Sequence, residues 1–225
     1  RPSRIFRYRP NQNPEWQNAM QGFLAKLEAW TPFAFTHFND GELTFIEKYL
    51  GGDHRETWFG RKQNKYTRKL GEHLVEAVRH KAQDYFVGVP CKTCFPRLRA
   101  LADRIRPHDA MTLPAMSLHH NLSHIPKLLS LLQGRRCYFI KNARQDLSVF
   151  ASLGLTVDEA DITIVPFRAA HDLHNEMLGK RFADGGIVLL TCGMLAKTVT
   201  RHWFANNPNT TFLAFGSALD DLTQV

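Results

Sequence analysis

Two hydrophobic periods alternate along the chain. Segments with apolar residues three and four apart read as amphipathic helices. They are NPEWQNAMQGFLAKLEAW at 13–30, GELTFIEKYL at 41–50, YTRKLGEHLVEAVRHKA at 66–82 and FPRLRALADRI at 95–105. HIPKLLSLLQG at 124–134, RQDLSVFASLG at 144–154, RAAHDLHNEMLGKRF at 168–182 and MLAKTVTRHWFAN at 194–206 follow. In the first, Phe23, Leu24, Leu27 and Trp30 share a face, and in the third Leu70, Leu74, Val75 and Val78 do. Pro126 falls in the first turn of the 124–134 segment and Gly134 at its end, the usual asymmetry of helix punctuation. Between the helices lie short apolar runs that read as strands: FAFTHF (33–38), DYFVGVP (84–90), RCYFIK (136–141), DITIVP (161–166), GIVLLT (186–191) and TTFLAFG (210–216). DAMTLPAMSL (109–118) is a weaker strand interrupted by Pro114.

Strands that are apolar at successive positions are buried on both faces, as in a parallel sheet between layers of helices. The expected fold is α/β, a doubly wound, mostly parallel sheet. It forms one domain over 1–225, with residues 1–30 as an N-terminal arm and helix. There is no internal repeat, and no apolar run approaches the roughly 20 residues of a membrane-spanning helix.

In such sheets ligands bind beyond the C-terminal strand ends, so the residues after each strand are the first to consider. After the first comes Asn39-Asp40-Gly41-Glu42. Two carboxylates at this spacing can share Mg²⁺ or Mn²⁺, which prefer oxygen ligands, and Gly41 lets a diphosphate approach the backbone. The same residues also suit a helix start, with Asn39 as N-cap, Glu42 at N3 of a capping box and Asp40 favouring the helix dipole. Gly193, between strand and helix, would turn backbone amides towards a phosphate, with Lys197 one turn inside. Gly216 and Ser217 follow the last strand, and then Asp220 and Asp221, either of which could take a proton from a hydroxyl or simply open a helix.

Weaker candidates complete the set. Cys91 and Cys94 form one CxxC without a second pair, which is less than structural zinc requires. His119, His120 and His124 lack the Glu of a zinc-protease motif. His171 and His174, near Asp172, read as surface or half-buried side chains of a helix.

Charge widens the choice of partner. There are 29 Lys and Arg against 21 Asp and Glu, a net +8, with local clusters at Arg1–Arg9, Arg61–Lys69 and Arg97–Arg106. A basic surface favours polyanions. Four cysteines in a chain of this length are ordinary usage and suit a reducing cytoplasm. The opening RPSRIFRYRPNQNP lacks the apolar stretch of a secretory signal.

Taken in order, these pieces resemble the GT-D-type glycosyltransferases. FTHFNDGELTFI resembles their aromatic-Ser-Arg-Phe-Gly-Asp-Gly-Glu signature, and YFVGVP their Val-Gly-Ile-Pro segment. SLHHNLSHIPKLL is similar to their Asn-containing stretch before a helix, which brings in Asn121. GIVLLTCGMLAKTVTRHW is similar to their strand, Gly turn and Ala-Lys helix, and FLAFGSALDD to their Asp- and Gly-rich close. Where the family carries Arg and Gly before its Asp, this chain has His37 and Asn39.

The resemblance implies a Rossmann-like fold, a nucleotide-diphosphate sugar such as a UDP-sugar as donor, and Mn²⁺ or Mg²⁺ on Asp40 and Glu42. It implies donor contacts from His37, Asn39, Gly41, Asn121, Gly193, Lys197, Gly216 and Ser217, with Asp220 or Asp221 as base. The acceptor would be a glycan or glycoprotein, or, given the charge, a hydroxylated base in DNA. Two other readings stand beside it. One is a non-enzymatic nucleic-acid-binding module. The other is a metal-dependent phosphoesterase using His120 and Asp172 beside Asp40.

Overall fold

The computed structural model describes residues 14–59, 64–93, 95–115, 117–118, 123–145, 147–148, 151, 155 and 157–216. Its centre is a seven-stranded sheet of β1 (Ala34–His37), β4 (Tyr85–Val89), β5 (Thr112–Pro114), β6 (Cys137–Asn142), β7 (Ile162–Val165), β8 (Ile187–Thr191) and β9 (Thr211–Ala214). The spatial order is β5-β4-β1-β9-β8-β6-β7, and every pairing is parallel. A separate antiparallel hairpin, β2 (Thr57–Phe59) with β3 (Asn64–Tyr66), stands apart from it. The sequence pattern did not announce this hairpin.

The side-chain period of two divides each central strand between two cores. Val188, Leu190, Phe212 and Ala214 face one core, which is covered by α2 (Asp40–Leu50), α3 (Arg68–Arg79), α4 (Pro96–Ile105), α6 (His174–Leu178) and α7 (Met194–Asn206). Ile187, Leu189, Leu213 and Phe215 face the other core, covered by α1 (Pro14–Glu28) and α5 (Ile125–Ser130). This is the expected doubly wound α/β arrangement. The N-terminal helix is part of the body of the fold, because Met20, Phe23, Leu24 and Leu27 are buried in that second core.

Local boundaries follow from the residues. Thr67 caps α3, its Oγ1 accepting from Leu70 N at 3.1 Å, which leaves Tyr66 in β3 rather than in the helix. The helix expected over 168–182 is shorter. Ala169 takes a left-handed φ of 54°, a 3₁₀ turn runs Ala170–Leu173, and α6 ends at Gly179. Trp203 Nε1 donates to Met177 O at 2.9 Å and ties α6 to α7. The helix expected at 144–154 falls largely outside the described residues. Among the described residues, no helix is long and apolar enough to cross a membrane.

Connections leave neighbouring strands towards opposite faces in two places. After β8 the chain enters α7 on the first face, whereas after β6 it reaches Leu147 and Leu155 in the second core. After β4 it enters α4 on the first face, and after β5 it enters α5 on the second. Crevices at the C-terminal edge of a sheet open at such switch points.

Candidate functional site

The tips of β1, β9 and β8 are neighbours in the sheet, and the loops that follow them meet there. Asn39 is the N-cap of α2, and its N–H donates to Glu42 Oε2 at 3.1 Å, one half of a capping box. The other carboxylate oxygen, Glu42 Oε1, lies 3.4 Å from Lys197 Nζ. Lys197 stands in the first turn of α7, and a helical side chain points back towards the N-terminus. Its Nζ accordingly donates to Gly193 O at 3.3 Å. The lysine side chain is 2% exposed and the glutamate 12%. A charge so nearly buried needs a partner, and Glu42 supplies it.

Gly193, the N-cap of α7, has φ 62° and ψ −135°, a region open essentially to glycine alone. The turn leaves the first amides of a 13-residue helix without intrahelical partners. Cys192, on the same turn, is buried, and burial pushes its thiol up to about 12, so it is no nucleophile. Beside it, Thr191 ends β8 with a buried Oγ1 that has no hydrogen-bond partner among the described residues.

His37 ends β1 on the side of the second core, its ring 6.1 Å from that of Phe35. Its Nδ1 lies 3.1 Å from Ala214 O. A carbonyl only accepts, so Nδ1 carries the proton. A Cβ on Gly216 would come within 2.5 Å of His37 Nε2, and Gly216 also has φ 58°. Glycine is thus required twice at that position.

Asp40 and Glu42 do not converge. Asp40 is the first residue of α2 and Glu42 the third, so their side chains leave the helix roughly 200° apart. Asp40 is exposed, whereas Glu42 turns back to the N-cap and to Lys197. Asp40 is thus open to a ligand, whereas both oxygens of Glu42 are already engaged, one by the Asn39 N–H and one by Lys197. Gly41 is buried between them.

The fold brings together Asn39, Glu42, Gly193 and Lys197, and His37 with Gly216. Asn121, Ser217, Asp220, Asp221, His119, His120 and Cys94 lie outside the described residues. Cys91 Sγ lies 2.9 Å from Thr93 Oγ1, in the wall of a cavity of about 310 Å³ at the β4–β5 switch point. Trp16, Lys92, Arg99 and Pro114 also line it. Asp172 follows β7, four strands from the β1 tip where Asp40 begins α2.

A second cluster joins two histidines singled out in the sequence to a third that was not. His73 of α3, His171 of the 3₁₀ turn and His174 of α6 each place a ring nitrogen within 4.8 Å of the other two. His73 Nδ1 and His171 Nε2 are 3.1 Å apart, and the rings of His73 and His174 stack at 4.0 Å. Burial lowers all three: His171 to about 3, His174 to about 4, and His73 below its ordinary value. His171 is half-buried, as expected, whereas His174 is more deeply buried than expected. His171 and His174 are three apart and could be seen as a pair, but nothing in the sequence joins them to His73, 98 residues before His171.

Comparison with protein-family models, curated proteins and solved structures finds no match to this chain.

Proposed function

We propose that this protein is a glycosyltransferase that moves a sugar from a nucleoside-diphosphate donor, such as a UDP-sugar, to a hydroxyl acceptor. The observation that carries the reading is the buried Lys197–Glu42 pair beneath the Gly193 turn at the C-terminal edge of a doubly wound parallel sheet. An anion-binding helix start and a held ammonium side by side are what a diphosphate needs.

The chemistry follows from those parts. The bond between the anomeric carbon and the diphosphate oxygen breaks, and its electron pair leaves with the diphosphate. Lys197 and the first amides of α7 stabilise the charge that builds there, in a setting preorganised before the reaction begins. Glu42 holds Lys197 at the turn. A divalent cation carried in with the diphosphate and met by Asp40 would neutralise further charge. The acceptor oxygen bonds to the anomeric carbon, and its proton goes to a carboxylate, for which Asp220 or Asp221 is the candidate.

The net charge of +8 makes a hydroxylated base in DNA an acceptor to set beside a glycan. Binding to DNA weakens steeply with salt, whereas binding to a neutral glycan does not. The reading is tested by thermal-shift measurements over a panel of nucleotide sugars, with and without Mn²⁺, on the wild type, Asp40→Ala and Lys197→Met. At least one donor should stabilise the wild type by mass action and fail to stabilise Lys197→Met. A flat response to every donor would overturn it.

A further inference from the structure

The three imidazoles sit where α3, the 3₁₀ turn and α6 pack, and α7 contributes Thr198 alongside them. This cluster lies in the first core layer, about 7 Å along α7 from Gly193. Two nitrogens bound to one tetrahedral zinc ion stand about 3.3 Å apart, given Zn–N bonds near 2.05 Å. The observed 3.1 Å between His73 Nδ1 and His171 Nε2 is close to that; in the metal-free protein the two nitrogens share one hydrogen, which an incoming ion would displace.

The tautomer of His174 is also set. Thr198 Oγ1 donates to Leu195 O at 3.1 Å, which uses its only hydrogen. With its hydrogen on that carbonyl, the hydroxyl accepts from His174 Nδ1, 3.0 Å away, which leaves the lone pair on Nε2. A metal-bound histidine is oriented in this way, by a second nitrogen donating to a fixed acceptor. Metal binds the neutral form of each ring.

We infer that His73, His171 and His174 form a site for one transition-metal ion, Zn²⁺ in the first instance, with a water molecule as the fourth ligand. Three imidazoles select Zn²⁺ or its neighbours over Mg²⁺ and Mn²⁺, which want oxygen. Three protein ligands with an open position are the pattern of a zinc site that can bind and polarise an exogenous oxygen. His73 and His171 are only partly covered, so that position is within reach of solvent. The ion would also fasten the segment after β7 to α3. Arg201, which is paired with Glu76, contributes positive charge near His73 and His174. That charge weakens the site relative to one backed by a carboxylate.

The site is independent of the sugar-transfer reading and is tested separately. The 225-residue chain, stripped with chelator and dialysed, is titrated with ZnCl₂ and with CoCl₂. Expected are one Zn²⁺ per chain by elemental analysis, and the intense visible absorption of four-coordinate Co²⁺. His171→Ala should weaken Zn²⁺ binding by about 100-fold or more, and Thr198→Val by about 10-fold through lost orientation of His174. Asp40→Ala should leave it unchanged. Circular dichroism on each variant separates loss of the site from loss of the fold, and His73→Gln serves if His171→Ala does not fold. Less than about one tenth of a Zn²⁺ per chain in the saturated wild type, or equal affinity in a folded His171→Ala or His73→Gln, would overturn the inference.

Discussion

Lys197 of α7 and Glu42 of α2 meet at 3.4 Å although they lie 155 positions apart in the chain. Their union joins the turn after β1 to the turn after β8 and leaves an ammonium 2% exposed at the edge of the sheet. Removing one member of such a pair strands the other. Lys197→Met should destabilise the fold by about 3 kcal/mol. The double variant with Glu42→Gln should recover part of that loss, since the orphaned charge is gone. Urea denaturation of the four proteins measures it, and strict additivity would show that the two side chains do not interact.

Gly216 is pinned by its backbone and by a neighbour at once. At φ 58°, and with a Cβ directed to within 2.5 Å of His37 Nε2, alanine must both strain the chain and push the imidazole off Ala214 O. Gly216→Ala should lower stability by about 1–3 kcal/mol. His37→Ala should relieve the steric part, so the double variant should be more stable than the sum of the single effects. Thermal unfolding decides this, and an unperturbed Gly216→Ala would contradict the geometry.

The histidine cluster gives the fold a pH dependence whose sign is fixed. In the metal-free protein, burial holds His171 near 3 and His174 near 4, against about 6.5 in the unfolded chain. Between those values the unfolded chain binds more protons, so stability is full above about 6.5 and falls as the pH drops towards 4 and then 3. Lys69, Glu72 and Glu76 of α3 face the cluster, as do Arg201 and His202 of α7. Urea midpoints measured in EDTA from pH 7.5 to 4.5 should decline. The decline should be shallower in His171→Gln/His174→Gln.

Arg106 clasps three elements from a buried position. Its guanidinium donates to Val78 O at 2.6 Å, Met111 O at 3.1 Å and Thr112 Oγ1 at 3.0 Å, and burial lowers it to about 10. Arg106→Met leaves the buried Val78 O without its donor, while Met111 O keeps the Val87 N–H, and should cost about 1–3 kcal/mol. Lysine cannot reproduce the fork, so Arg106→Lys should recover only part of it. Chemical denaturation of both variants provides the comparison.

The sheet was readable because strands buried on both faces must be apolar at every position, as at Ile187–Leu190, and a helix between Gly193 and Asn207 has its punctuation written out. The β2–β3 hairpin was not readable, since three residues a side carry no period. The 168–182 pattern promised one helix, but Ala169 in a left-handed conformation and Gly179 cut it to a 3₁₀ turn and five residues. In the candidate site, Asn39, Glu42, Gly193 and Lys197 were each legible from their places after strands. Their union was not, because a long-range ion pair leaves no local trace. Asp40 and Glu42 suggested a shared ion by proximity in sequence, and helical geometry turns them apart.

Release of nucleoside diphosphate from a panel of nucleotide sugars, with Mn²⁺ and acceptor glycans or hydroxylated DNA present, tests the central claim most directly. Wild-type protein should liberate the diphosphate from at least one donor. Lys197→Met, verified as folded, should do so at least about 100-fold more slowly, the scale of losing one preorganised charge-stabilising group. Equal rates in the two proteins, or no release from any donor, would contradict the account.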